Sequence, residues 1–307
     1  MPWKAAGMRA DRFVSEQLRV PAGLLYRLLR KGAIARLGED GRAGRMRGSD
    51  RVQPGMRLRV PEDVVSGEAR PTKGHAAKLE PLPVLFENEA LAVLQKPAGL
   101  ACQGGTGINS AVDQALGGQR LVHRLDRGAT GALVVAKTRL AAAALARAFH
   151  DRRVAKSYVA ALQGVPDPPA GTVTQPLANT GDRVVASVCP GAKPAETRYR
   201  VLSAGSIDGA PACIVALRTL SGRKHQIRVH CAQVLGCPIL GDAKYGGASS
   251  PGPPRIHLHL SKVSVPDVGA DGQERGGTIT VRAPFPQFWG PTLRALGVAF
   301  AERSSKL

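Results

Sequence analysis

Aromatic residues are scarce in this 307-residue chain, and its cysteines are few and scattered. Phe, Trp and Tyr together make up 4% of the sequence. So few rings exclude a binding mode that stacks many bases on aromatic platforms. The five cysteines form no Cys-x-x-Cys pair and stand at Cys102, Cys189, Cys213, Cys231 and Cys237. Such a set argues against a zinc site and a disulfide framework, and it favours a reducing compartment.

Long apolar runs and acidic residues are also lacking. No stretch approaches the roughly 18 apolar residues of a membrane span, and residues 1–13 lack the apolar segment of a secretory signal. The chain carries 43 Lys and Arg against 23 Asp and Glu, a net charge of +20. This excess favours a polyanionic partner, nucleic acid above all. Anionic lipid is the competing partner, but no basic amphipathic helix with large exposed apolar residues supports it. We expect a cytoplasmic protein that does not enter a membrane.

Residues 121–138, LVHRLDRGATGALVVAKT, join a polar cluster to an apolar run. The run at 132–136 is short, rich in valine and bounded by Gly and Lys, which predicts a buried strand. Asp126 precedes it on a tight loop, so its carboxylate should be held rigidly at the mouth of the strand. Taken alone, an Asp between Arg124 and Arg127 is better explained by an ion pair, because ion pairs outnumber active sites.

The pattern along the chain predicts an α+β protein with a mainly antiparallel, mixed sheet, because many strands follow one another with few helices between them. Helices are predicted near residues 139–150, 224–235 and 285–298, and a further helix is expected to begin within 109–116. A small basic α/β domain is predicted at residues 9–60, a linker without periodicity at 61–80, and the main domain at 81–300. In the small domain, a first helix is predicted from Asp11 to about Leu18, and a second ends at Gly32 and presents a basic face of Arg27, Arg30 and Lys31.

Three motifs carry a resemblance to a known family. HRLDRGATG at 123–131 resembles the HRLD-x-x-T-[ST]-G signature of the RluA family of RNA pseudouridine synthases. KSY at 156–158 and LSGRKHQIRVH at 220–230 resemble two further segments of that family, in the same order. The chain departs from the family at 128–131, where Gly-Ala-Thr-Gly replaces the frequent Asp-Thr-Ser-Gly. The resemblance implies isomerisation of uridine to pseudouridine in structured RNA.

The same resemblance implies roles for individual residues. Asp126 would be the catalytic carboxylate and Arg228 its basic partner, while Tyr158 would stack on the flipped base and serve the proton step at C5. Ile227 would supply an apolar wall. Arg124 is expected to fill the place that the flipped base leaves, since a planar cation fits there. The reaction involves no redox change and consumes no energy, so neither a cofactor nor a metal is expected.

Residues 9–60 resemble an S4 RNA-binding domain through Asp11, Phe13 and the segments 26–32 and 55–60. A charged helix face is ordinarily just solvated, but this resemblance implies that Arg27, Arg30 and Lys31 contact phosphate. His123 is expected to be structural, hydrogen-bonded within its own loop. His225 and His230 could suggest a metal pair, but no third ligand accompanies them, so RNA contact or helix packing is favoured.

Two other classes of function remain open at this point. A non-catalytic RNA-binding or ribosome-assembly factor would have the same charge and the same small domain. A glycoside hydrolase would need a second acid, for which only Asp113 and Asp242 are candidates. Within the resembled family, members of the RluC type, which carry an S4 domain and modify large-subunit ribosomal RNA, fit best. Transfer RNA and an organellar ribosome stay possible targets, and we expect a monomer.

Overall fold

The computed structural model describes residues 6–18, 22–66, 80–104, 110–181, 183–247 and 255–299. The chain divides into two compact units between Leu79 and Glu80. Of the described residues, the N-terminal unit contains 6–18, 22–66, Gly104 and Ser110, and the C-terminal unit contains 80–103, 111–181, 183–247 and 255–299. No helix in the described ranges is long and apolar enough to cross a membrane.

The N-terminal unit packs two helices against a small antiparallel sheet. Its elements are α1 Ala10–Leu18, α2 Ala22–Arg30, β1 Ala35–Leu37, β2 Ala43–Arg45, β3 Arg57–Arg59 and α3 Glu62–Val65. The strand order is β2-β1-β3. Phe13 and Leu25 are buried in one apolar cluster with Ile34, because the leucines and their neighbours recur at helical spacing. Gly32 ends α2 with a φ of +69°, which glycine adopts without strain.

The predicted linker needs a correction at its start. Residues 61–66 contain α3, and Val64 is only 1% exposed within the N-terminal cluster. The N-terminal unit therefore extends beyond Val60, because one helical turn with one buried side chain is too short to show periodicity. The rest of the predicted linker, residues 67–79, lies outside the described residues.

The C-terminal unit is built on an extensive sheet. Its strands are β4 Val84–Glu87, β5 Leu91–Lys96, β6 Arg120–Leu121, β7 Thr130–Ala136, β8 Ala155–Gln163, β9 Ala170–Val173, β10 Leu177–Asn179, β11 Val184–Ala186, β12 Thr197–Ile207, β13 Ala210–Thr219, β14 Leu258–Val268 and β15 Glu274–Arg282. Its α-helices are α4 Arg139–His150, α5 Gln226–Val229 and α6 Gly290–Ala295. Single turns of 3₁₀-helix occupy Val112–Gln114 and Gln287–Trp289, and a π-helical turn at His230–Val234 continues α5.

The main sheet has the order β4-β5-β7-β14-β8-β13-β12-β9, with β15 beside β14 and β6 beside β7. Among the described strands only β7 and β14 pair in parallel, and the others pair antiparallel. β10 and β11 form a separate hairpin. The α+β class with a mainly antiparallel mixed sheet is therefore confirmed for the C-terminal unit.

Local sequence explains the centre of this sheet. All seven residues of β7 are buried, as its apolar run requires. α4 follows at once, and Thr138 caps it by accepting a hydrogen bond from the Ala141 amide at 3.0 Å. α4 coincides with the helix predicted at 139–150. By contrast, the helix expected to begin within 109–116 is a single 3₁₀ turn, and Asn109 lies outside the described residues.

Gly131 explains how β7 and β14 approach each other. It pairs with Leu260 in the parallel register and has a φ of +117°. A β-carbon at this position would collide with the backbone carbonyl of Leu260. Thr130, one residue earlier, shares a hydrogen bond of 2.8 Å with His259 of β14. The loop that carries Asp126 is thereby fastened to the sheet at its C-terminal end.

Candidate active site

The Asp126 loop is held from the other side by the segment that follows β5. The Leu125 amide donates to Cys102 Sγ at 3.2 Å, and the Cys102 thiol donates back to the Leu125 carbonyl at 3.3 Å. Lys96 donates to the Arg127 carbonyl at 3.3 Å. Both neighbours of Asp126 are therefore fixed through their backbones, which leaves the carboxylate free to face the site.

Lys96 is a buried, charged residue to which the sequence analysis assigned no role. Its side chain is fully buried, and burial lowers its pKa to about 8 while the negative charge of Asp126 opposes the shift. Lys96 therefore still carries a positive charge at neutral pH and contributes it to the surroundings of Asp126. The sequence feature that could have revealed this buried charge is a lysine at the end of an apolar strand.

Arg228 joins two carboxylates. Its Nε and Nη2 donate to the two oxygens of Asp242, each at 2.7 Å, and its Nη1 lies 3.5 Å from Asp126 Oδ2. Burial disfavours the charge of Arg228, but the hydrogen bonds and charge of Asp242 outweigh it and raise the arginine's pKa. The planar fork is thus fixed by Asp242 and presents its remaining nitrogen to Asp126.

The structure brings Arg228 to Asp126 as the sequence analysis expected, but its hydrogen-bonded partner is Asp242. That carboxylate is 1% exposed and fully engaged by the guanidinium. It is therefore unsuited to be the second acid of a glycoside hydrolase, which must reach the bond being broken. Sequence reasoning considered Asp242 only in that role, because the two residues stand 14 positions apart and nothing local shows their contact.

His225 and Tyr245 complete the wall beside Asp126. His225 has a left-handed backbone, with φ 54°, and its Nε2 lies 4.0 Å from Asp126 Oδ1. Its Nδ1 shares a hydrogen bond of 2.8 Å with the Tyr245 hydroxyl, and the Tyr245 ring centre lies 5.0 Å from the Arg228 guanidinium. Burial lowers the pKa of His225 to about 4, although Asp126 opposes the shift. His225 is therefore neutral at neutral pH, and Arg228 is the charged group of this wall.

His230 is a packing residue. It is fully buried, with Nδ1 2.9 Å from Thr197 Oγ1 and Nε2 2.9 Å from the Gln175 carbonyl. Of the two interpretations offered for it, helix packing is therefore correct, because its ring has no access to RNA. Among the described residues, no group of three or more His, Cys, Asp and Glu side chains could hold a metal ion.

Asp126 opens onto a cleft of about 140 Å³, called here the Asp126 cleft. Tyr158 from β8, Ile227 from α5 and Leu258 from β14 form its apolar lining. Burial raises the pKa of Tyr158, and the charge of Asp126 adds to the effect. The phenol is therefore neutral at neutral pH, which suits it to stack on a base more than to remove a proton.

The side chains of Arg124 and His123 lie in different surroundings. Arg124 is exposed and lines the Asp126 cleft. His123 accepts a hydrogen bond from the Val134 amide at 2.8 Å and stacks on Phe149, with ring centres 4.6 Å apart. Burial lowers its pKa to about 3. His123 is structural as expected, but it bonds strand β7 instead of its own loop.

In the N-terminal unit, the exposed Arg30 and Lys31 line a surface depression with Arg45 and Arg59. The side chain of Arg27 lies outside the described residues, although its backbone belongs to α2. Asp11 anchors this unit by accepting hydrogen bonds from Arg9 and Tyr26, each at 2.7 Å.

Comparison with known proteins shows which family this chain resembles. Residues 90–233 match the family model described as RNA pseudouridylate synthase. The chain is 34% identical to the ribosomal large subunit pseudouridine synthase C of Vibrio cholerae serotype O1 over 277 residues, which cover 84% of this chain and 85% of that protein. Identity is 33% to the protein of the same name from Pasteurella multocida, over 98% of this chain and 92% of that protein.

Solved structures agree with the fold. Human RNA pseudouridylate synthase domain containing 4 superimposes with a TM-score of 0.57 and 26% identity, covering 71% of this chain and 94% of that chain. Human RNA pseudouridylate synthase domain containing 1 gives a TM-score of 0.57 and 29% identity, over 67% and 84% of the two chains. The chain therefore belongs to the RNA pseudouridylate synthase family and is an isomerase of RNA uridine.

Proposed function

We propose that this protein converts specific uridines of large-subunit ribosomal RNA to pseudouridine, in the cytoplasm and as a monomer. The observation that carries the proposal is that Asp126 and Tyr158 line one cleft, with Arg228 in contact with Asp126. The relatives named for large-subunit ribosomal RNA share about a third of their residues with most of this chain, which supports that choice of substrate.

In the proposed mechanism Asp126 is the catalytic carboxylate. The target uridine leaves its stack and enters the cleft, a step that costs a few kcal/mol and is offset by contacts there. The bond between N1 and C1′ breaks, the base turns and C5 bonds to C1′. The proton on C5 then passes to water and N1 takes up a proton from water, so the product is an isomer of uridine. Asp126 acts beside C1′, and Arg228 stabilises the negative charge of the carboxylate through a contact of 3.5 Å.

The other side chains position the base. Tyr158 stacks on the uracil ring as a neutral phenol, and Ile227 forms the opposing apolar wall. Arg124, which is exposed at the rim, enters the space that the uridine vacates in the RNA. A non-catalytic assembly factor would not need these groups together, so their arrangement favours the enzyme.

We further propose that the N-terminal unit is an S4-like RNA-binding domain. The support is its basic depression at Arg30, Lys31, Arg45 and Arg59 together with the chain's net charge of +20. Such a unit increases affinity for structured RNA through phosphate contacts. Residues 67–79 are proposed to act as the linker to the catalytic unit.

The test is a deletion strain complemented with the wild-type gene or with Asp126→Asn. Pseudouridine mapping of the ribosomal RNA should show specific sites that are lost on deletion and restored only by the wild type. The purified Asp126→Asn variant should bind RNA within about tenfold of wild type, since affinity rests on phosphate contacts. Asp208→Asn, in the exposed turn at the far end of the β12–β13 hairpin, is the control.

Residual turnover of Asp126→Asn above one percent of wild type, a loss of less than about 2.7 kcal/mol, would refute the role of Asp126. Sites that disappear from transfer RNA instead of ribosomal RNA would refute the proposed substrate and leave the catalytic assignment standing.

A further inference from the structure

A second, larger cavity adjoins the Asp126 cleft and takes no part in the mechanism above. This basic cavity has a volume of about 710 Å³ and lies between the end of α4, the start of β8 and the loop at 220–223. The described residues that line it include no Asp or Glu, and its Lys and Arg residues are Arg124, Arg152, Arg153, Lys156, Arg218 and Arg223. Arg153 is paired with Glu274 at 2.7 Å, so the others supply the excess positive charge. A space of this size and charge suits a nucleotide with its phosphate.

Lys156 stands where the basic cavity meets the Asp126 cleft, since it lines both. Its ammonium lies against Gly222, where a β-carbon would be 3.6 Å from Nζ. Burial lowers the pKa of Lys156, and no carboxylate of the described chain offsets this effect. A largely buried ammonium without an anion is costly to the folded protein. The fold alone therefore gives no reason for a lysine here.

Thr219 lies beside Lys156 on the same face of the sheet. Leu217 pairs with Tyr158 and Arg218 with Ser157, so the next step along the two strands brings Thr219 opposite Lys156. Side chains two residues apart on a strand share a face, and Thr219 therefore projects to the same side as Tyr158. Its hydroxyl is buried and has no hydrogen-bond partner in the described part of the chain. Such a group costs roughly 1–3 kcal/mol if nothing binds it.

We propose that Lys156 and the Thr219 hydroxyl together bind one backbone phosphate next to the target uridine, and that the basic cavity holds the nucleotide beyond it. The inference rests on the proposed function, in which the uridine occupies the Asp126 cleft. A phosphate provides both missing partners, because it carries negative charge and accepts hydrogen bonds. Fixing this phosphate positions the ribose of the target nucleotide against Asp126.

The experiment uses the full-length protein and the mapped ribosomal RNA segment, made with one uncharged methylphosphonate at a time within two nucleotides of the target uridine. Affinity and single-turnover rate are measured for wild type, Lys156→Met and Thr219→Val. Lys137→Met is the matched control, since Lys137 forms its ion pair with Glu87 at 2.7 Å and lines neither the Asp126 cleft nor the basic cavity.

Neutralising one particular phosphate should weaken RNA binding by wild type and by Lys137→Met. The same substitution should leave RNA binding by Lys156→Met unchanged, and this should hold at that phosphate alone. The dependence of log K on log salt should become shallower by about 0.7 for Lys156→Met, the value for one phosphate on a single strand. Thr219→Val should lose less affinity than wild type when the same phosphate is neutralised. Without RNA, Lys156→Met should melt at or above the wild-type temperature, because it removes an uncompensated buried charge.

Two results would overturn the proposal. In one, wild type modifies the RNA, but its affinity responds to each methylphosphonate in the same way as the affinity of Lys156→Met. The other is a Lys156→Met variant that melts below wild type while its phosphate profile is unchanged, which identifies a structural lysine. In both cases the wild type still forms pseudouridine, so the proposed function stands. A wild type that modifies no uridine of this RNA would refute both.

Discussion

Replacing Arg228 tests how the negative charge of Asp126 is stabilised. The guanidinium lies 3.5 Å from Asp126 and is held by Asp242, and both members of that pair are buried. At this distance and an effective dielectric constant of about 20, the attraction between unit charges is about 5 kcal/mol. Asp126 is 19% exposed, so water replaces part of the attraction when the arginine is removed. We expect Arg228→Ala to lower the single-turnover rate at neutral pH by about 10²–10³-fold, which corresponds to roughly 3–4 kcal/mol.

The same change threatens folding, because it leaves Asp242 buried without its partner. Breaking a buried ion pair from one side costs about 3–5 kcal/mol, a large part of the stability of a typical protein. The double variant Arg228→Met with Asp242→Asn removes both buried charges, so it should unfold at higher denaturant concentration than Arg228→Ala. Its rate should nevertheless stay as low, since the cation beside Asp126 is still missing. Arg228→Lys should keep part of the activity, because it keeps the charge but not the planar fork.

The assay is the release of tritium from 5-tritiated uridine in RNA, measured in a single turnover from roughly pH 6 to pH 9. The folded double variant should stay below wild type across this range, because the guanidinium 3.5 Å from Asp126 Oδ2 is gone. A double variant within tenfold of wild type would show that another cation stabilises the Asp126 carboxylate. Lys96, Arg124 and Arg127 would then be the residues to replace.

Three further predictions concern other parts of the molecule. Arg30→Ala with Lys31→Ala should weaken RNA binding and reduce the salt slope by about 0.7–0.9 for each phosphate that the variant no longer binds, with the rate at saturating RNA unchanged; a reduced saturating rate would place these residues in the chemistry. Wild type should gain free energy of unfolding relative to Lys96→Met between about pH 8 and pH 10.5, because in that window the lysine binds more protons in the unfolded state than when buried, and urea unfolding curves of the two proteins at both limits measure this difference. Tyr158→Phe should retain more activity than Tyr158→Leu in the tritium assay, since the stacking ring remains; equal losses would make the hydroxyl essential.

Elements that depend on neighbouring residues were predictable from the sequence. α4 was expected at 139–150 and occupies Arg139–His150, because its cap at Thr138 and its alanine-rich interior act within a few residues. β7 was predictable from its short apolar run. The helical turn α3 at Glu62–Val65 and strand β2 were not predictable from the sequence, because each is too short to show a periodic hydrophobic pattern.

For the site, the motifs indicated Asp126, Tyr158 and Arg228, and the fold brings Asp126 and Tyr158 to one cleft, with Arg228 in contact with Asp126. The resemblance supplied the roles, and the residues alone would have favoured a simple ion pair for Asp126. The resembling motifs also contain Ile227 and Arg124, which line the same cleft.

The sequence by itself determined the fold class of the C-terminal unit and the family, and it made Asp126 the candidate carboxylate, because periodicity and short contiguous motifs are local features. Only the tertiary structure decided that Asp242 holds Arg228, that Lys96 is buried near Asp126, and that the Thr219 hydroxyl faces the cleft unpaired among the described residues. The physical reason is that the charge of a side chain and the pairing of its polar atoms depend on groups within a few ångströms. Here those groups come from segments far apart in the chain, and only the order of the strands places them side by side.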